Sequence, residues 1–132
     1  MRHDEKKPSI DEWLSSIKEE AAREAGMILI HNGIVRQTPK AKVRQGIDDG
    51  SSVTGMEFSY DAQKVAQAIE ETKKMEGIVI VKAWLNDGFL HVGDDIMYVL
   101  VAGDIRPHVV KALEFLVERI KTVCVTEIEQ KE

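Results

Sequence analysis

Three cations stand where a chain can present them to an anion. Arg36 ends the apolar run Gly26 to Val35, Arg106 follows Gly103-Asp104-Ile105, and Lys121 lies near the close of a periodic segment. A guanidinium is a planar five-donor fork that fits phosphate or carboxylate through two parallel hydrogen bonds, and it keeps its charge at any physiological pH. A lysine amine can activate an acyl group covalently or, as an ammonium, offset negative charge developing in a transition state. Two histidines, His31 in the first apolar run and His108 two places after Arg106, could add an imidazole that binds a ligand near neutral pH. Each residue also has a plainer role to fill. Arg36 could be a solvated strand terminus, Lys121 could complement the negative end of a helix dipole, and Arg106 could pair with an Asp104 that caps the helix. Cys124, between Val123 and Val125, reads as a small buried hydrophobe rather than a relay thiol. Asp94 and Asp95 read as turn and strand-edge residues rather than an acid/base pair.

The elements that must hold these groups follow from periodicity. Ser9-Ile-Asp-Glu12 has the form of a capping box and predicts a helix over about Ile10 to Glu24, with Trp13, Ile17 and Ala21 as its apolar stripe. Met27 to Val35 is β-rich and almost wholly apolar, which predicts a buried strand leading to Arg36. Gln37 to Ser52 lacks periodicity and mixes glycine with opposed charges, so a mobile loop is expected there. Met56, Phe58 and Tyr60 alternate with polar residues as a half-buried strand does, and Asp61 is placed to cap a helix running to about Met75. Ile78 to Leu85 is a further strand, and Asn86-Asp-Gly88 is turn chemistry that would let Phe89 to His91 pair back. Ile96 to Ala102 forms the next strand. Pro107 suits a first helical turn, and Val109, Leu113, Leu116 and Ile120 recur along one helical face toward Lys121. Val123 to Ile128 makes a last short strand.

Composition narrows the setting. With 132 residues the chain is expected to form one domain, residues 1–132, with a core that needs no disulfide. A net charge of -5 gives no electrostatic footprint for nucleic acid, so an anionic ligand would need a local basic pocket. The single cysteine excludes an internal disulfide and fits a reducing compartment. No apolar run approaches the roughly 18 residues of a membrane span, and the charged start carries no signal segment. A cytoplasmic protein is expected, with no membrane partner and no metal.

The residues quoted above also form a pattern. Gly33-Ile-Val-Arg36, the Gly88-Phe-Leu-His-Val-Gly-Asp94 hairpin, Arg106 opening a helix and Lys121 closing it resemble the large, catalytic subunit of molybdopterin synthase, the MoaE family, over residues 26 to 128. The resemblance implies an α+β domain of the α/β-hammerhead type, a mixed sheet with helices packed on it, and a homodimer. It implies a partner, the small sulfur-carrier subunit (MoaD-like), whose C-terminal thiocarboxylate supplies sulfur to cyclic pyranopterin monophosphate. The dithiolene molybdopterin is then the product, with no prosthetic group. Lys121 would be the catalytic residue, and Arg36 and Arg106 would hold substrate, with His31 and His108 as further candidates. Three departures bear on that reading. Ile105 stands where the family has a histidine, Ile128 stands where it has a second lysine, and its basic tail has no counterpart before Glu132. Lys131 is three residues beyond Ile128, which on a regular strand is the opposite face. Two alternatives stay open: a noncatalytic pterin-binding or assembly protein on the same fold, and an unrelated small-molecule-binding dimer.

Overall fold

A computed structural model describes residues 7–21, 23–38, 46 and 52–131. The expected mobile loop from Gln37 to Ser52 lies almost wholly outside the described residues. In chain order the elements are α1 (Ile10–Glu20), β1 (Met27–Ile34), β2 (Val53–Tyr60), α2 (Ala62–Lys73), β3 (Ile78–Leu85), β4 (Gly88–His91), β5 (Asp95–Gly103), α3 (Arg106–Arg119) and β6 (Val125–Lys131). A single turn of π-helix, Ile120–Cys124, joins α3 to β6. The architecture is α+β as expected, with the strands distributed over two antiparallel three-stranded sheets, ordered β1-β5-β3 and β4-β2-β6, rather than one mixed sheet.

The first sheet is covered on both faces, which explains its unbroken apolar runs. Met97, Val99 and Val101 of β5 point into the main core with Val109, Ala112 and Leu116 of α3. Leu100 and Ala102 point the other way, onto Ile17 of α1. β5 is central and buried from Ile96 to Gly103, whereas β1 is an edge strand whose side chains are half-buried or, at Asn32 and Ile34, exposed, where a buried strand was expected. Helix caps follow the sequence: the Ser9 hydroxyl accepts from the Glu12 amide, and the Asp61 carboxylate accepts from Gln63 and Lys64. α1 stops at Glu20, short of the expected Glu24.

The Asn86-Asp87-Gly88 turn does something other than fold a hairpin. Asn86 ties to β5 at both ends, its amide donating to Ile96 O and its side chain to Asp95 O. Gly88, at φ +117°, then carries the chain out of the first sheet. β4 pairs with β2 in the second sheet, Leu90 opposite Met56, instead of pairing back on β3. Burial of Leu90 beside Met56 and Phe58 drives that choice, since pairing on β3 would leave the inner face of the second sheet short of one strand.

A polar cluster fastens the start of the chain to the first sheet. The Asp95 carboxylate accepts from Lys7, from Asn32 and from the Tyr98 hydroxyl, while the Lys7 ammonium sits over the Trp84 and Tyr98 rings. Burial alone would raise the Asp95 carboxyl, but the hydrogen bonds from Lys7, Asn32 and Tyr98 outweigh it and hold the group below its ordinary range. A carboxyl depressed in the folded state contributes stability above its unfolded pKa of about 3.9, and loses it as pH falls through the folded value. Asp95→Asn is therefore expected to cost about 1 kcal/mol at pH 7, a figure reduced for the exposure of Lys7. In denaturant titrations the gap between variant and parent should shrink as pH falls below about 3.9; a gap independent of pH would assign the loss to packing.

Candidate active site

β1 alternates its side chains, so Leu29, His31, Gly33 and Val35 share the face turned to the core. Val35 is buried and locked to the turn before β5, its amide donating to Asp94 O at 3.0 Å and its carbonyl accepting from Gly93 at 2.8 Å. Gly93 adopts φ +93° to make that turn. Arg36, the next residue, therefore emerges at the sheet end from a fixed backbone. Its Nε donates to Thr38 O at 3.0 Å, which sets the plane of the guanidinium. Asp94 itself accepts from the His91 amide, the turn role expected of it.

Lys121 comes from the opposite direction, in the π turn after α3. That turn is pinned by buried Ile120 and Cys124, by the Thr122 hydroxyl donating to Glu118 O at 2.8 Å, and by the Asp61 amide donating to Cys124 O at 2.8 Å. The Cys124 thiol is raised by burial and lies 3.6 Å from Arg119 O, the environment of an inert core cysteine, as the sequence suggested.

Arg36, Lys121 and His31 meet on one cavity of about 180 Å³, with Met56 and Ile96 as its apolar lining and Gly33 leaving one wall bare. A Cβ on Gly33 would stand 3.6 Å from His31 Nε2, so the imidazole lies along β1 toward that wall. His31 Nε2 is buried and has no hydrogen-bond partner among the described residues. Burial lowers the His31 pKa, and the charge of Lys121 lowers it further. A neutral imidazole therefore faces the cavity at physiological pH. Roomier grooves, about 460 Å³ beside α1, about 600 Å³ along α3, about 310 Å³ at the end of α1 and about 570 Å³ along α2, do not bring the candidate residues together, although the one along α3 also touches His31.

β6 supplies residues that the sequence reading passed over. Its register sets Glu127 opposite Phe58 and Glu129 opposite Met56, so both glutamates share the inward face of the second sheet and line the cavity. Ile128, between them, lies on the outer face at 54% exposure. The period-two spacing of Glu127 and Glu129 was the available signal. Lys131 sits exposed at the far end of β6, opposite Val53.

Arg106 and His108 are elsewhere. They open α3, whose rise to Lys121 is about 22 Å, and neither lines the cavity. His108 Nδ1 lies 2.8 Å from Asp104 Oδ1, and its Nε2 lies 3.4 Å from Glu76 Oε1. This clamp packs over Gly77, where a Cβ would meet Asp104 Oδ1 at 2.2 Å. The hydrogen bond with His108 holds the Asp104 carboxyl below its ordinary range. The plainer reading of Arg106, with Asp104 capping α3 and pairing with it, is not what forms: Asp104 accepts from its neighbour's amide, Ile105 N, and engages His108. His108 is a structural fastener in this subunit, while Arg106 is exposed.

Comparison with known proteins bears on the fold and the family. A search of curated proteins finds no match. Among solved structures, molybdopterin synthase from Staphylococcus aureus superposes with a TM-score of 0.70 at 23% identity, covering 89% of this chain and 84% of that one. A molybdopterin biosynthesis MoaE protein from Burkholderia ambifaria gives 0.71 at 16% identity, covering 96% and 84%. A complex of subunits 1 and 2 of molybdopterin-converting factor from Helicobacter pylori gives 0.64 at 20% identity, covering 92% and 78%. These likenesses establish the fold, and the MoaE protein family model matches residues 4–123. With that match over most of its length, the chain belongs to the MoaE family.

Proposed function

We propose that this chain is the large, sulfur-transferring subunit of a molybdopterin synthase. Its family membership supports a role in molybdenum cofactor biosynthesis. The observation that carries the finer reading is the convergence of Arg36, Lys121 and His31 on one cavity from elements far apart in sequence. In this reading Arg36 takes the phosphate of cyclic pyranopterin monophosphate, its guanidinium plane already set by Thr38. Lys121, as an ammonium, offsets negative charge that develops on the acyl oxygen when, with the sulfur bonded to the substrate, water adds to the carrier's acyl carbon and the acyl C–S bond breaks, leaving the carrier as a carboxylate. Neutral His31 offers a hydrogen bond to substrate without adding charge. The pterin is substrate and product, not a resident cofactor.

The thiocarboxylate comes from a small carrier subunit, a partner supported by the two-subunit composition of the Helicobacter pylori relative. Arg106 serves the same substrate from a second copy of this chain, because helix length keeps it from the cavity of its own subunit. The assay is direct. Purified protein, thiocarboxylated carrier and pyranopterin should yield dithiolene; binding of both without dithiolene would favour the noncatalytic alternative.

A further inference from the structure

The charges on the cavity wall do not suit an anion alone. Arg36 and Lys121 bring two positive charges and Glu127 and Glu129 two negative ones, so with neutral His31 the wall sums to zero. A carboxylate 4 Å from a bound phosphate oxygen is repelled by about 1 kcal/mol even in water, and by more where solvent is partly excluded. Two half-buried glutamates, each already engaged within the protein, leave such a wall poorly suited to phosphate alone. The charges are also sorted by depth. Arg36 is exposed at the rim, whereas Glu127 and Glu129 are half-buried on the inward face of β6. Between them lie the apolar side chains of Met56 and Ile96 and the bare backbone of Gly33, a surface that accepts a flat ring closely. The unpartnered buried His31 Nε2 calls independently for a polar atom supplied by a ligand.

We propose that Glu127 and Glu129 receive the N–H edge of a pterin, its 2-amino group and adjacent ring N–H, while Arg36 and Lys121 hold the anionic end of the same ligand. A carboxylate accepts two parallel hydrogen bonds from an amidine-like edge just as it does from a guanidinium. The assignment gives the cavity a direction, ring inward and phosphate at the rim, and rests on the pterin reading of the site. It also gives selectivity. A lumazine, with a 2-oxo group in place of the 2-amino group, would turn an acceptor toward the glutamates and be rejected.

The test uses the intact protein and two fluorescent probes without phosphate, neopterin and its 2-oxo lumazine counterpart, with inorganic phosphate as a third ligand. Wild type should bind neopterin about tenfold to a hundredfold more tightly than the lumazine, the worth of a charge-assisted hydrogen-bonded edge. In Glu127→Gln/Glu129→Gln that preference should fall to within about twofold, with phosphate affinity unchanged or higher as the repulsion goes. Arg36→Ala should weaken phosphate and keep the preference, which guards against reading a folding defect as lost recognition. Equal affinity of wild type for both probes would overturn the proposal. So would a preference that survives the double variant, because glutamates acting only as counter-ions to Lys121 and Arg36 would change anion affinity and nothing else. Dithiolene formation is a separate readout: turnover with no Glu-dependent preference sinks this proposal alone, whereas Glu-dependent preference without turnover sustains it and ends the catalytic reading.

Discussion

Lys121→Ala is expected to lower dithiolene formation by about a hundredfold or more while carrier affinity stays within about twofold. The asymmetry follows from when the amine acts. A group that meets charge appearing only in the transition state contributes to kcat, and its loss leaves ground-state contacts nearly intact. Lys121 is half-buried in a turn that the buried side chains of Ile120 and Cys124 hold in place. Lys121→Arg separates the two chemistries open to a lysine, because a guanidinium keeps the positive charge and cannot serve as a nucleophilic amine. Partial rescue by arginine would favour charge stabilisation. Unchanged kcat in Lys121→Ala would remove the residue from the mechanism. Lys131→Ala, at the exposed end of β6, should behave as the parent.

The second large effect concerns assembly. With the site shared between two copies as proposed, Arg106→Ala and Lys121→Ala proteins should each be inactive, and mixing them under conditions of subunit exchange should restore activity. In a heterodimer one site carries both lesions and the other carries neither, so heterodimers should show about half the parent activity per dimer when sites are shared. The geometry behind this is the helix itself: Arg106 opens α3 and Lys121 follows its end, about 22 Å apart along a rigid rod. Dead heterodimers, verified by mass, from singly inactive parents would place both residues in one site or refute the shared site.

Much of the fold was legible because its signals are local. The Ser9 and Asp61 caps, the β5 run and the α3 stripe each depend on residues within a few positions of one another. The partner of β4 was not legible, since a turn sequence fixes where the chain bends and burial of Leu90 decides which sheet it joins. At the site, position at element ends left Arg36 and Lys121 with plain structural roles, and only the resemblance singled them out. His31 gained its place over His108 only through tertiary contacts, since Asp104 and Glu76 occupy both nitrogens of His108. Glu127 and Glu129 were not legible because the resemblance sets a lysine at Ile128, between them, and gives its neighbours no role. Strand parity, fixed by the π turn upstream, sends Ile128 to the opposite face.

That π turn also makes the cavity wall sensitive to insertion and deletion rather than to substitution. A π turn holds one residue more than the α-helical turn it replaces, and a strand flips every side chain when its phase moves by one. Removing one residue within Ile120–Cys124 would draw β6 back one place, withdrawing Glu127 and Glu129 from the interior and turning Ile128 inward. A relative shorter by one residue here, with lysine at the position of Ile128, would face its ligand with a cation from the same strand. Acidic and basic walls are thus one codon apart in length, and aligning such chains without a gap at this turn would match residues that never occupy the same side of the sheet.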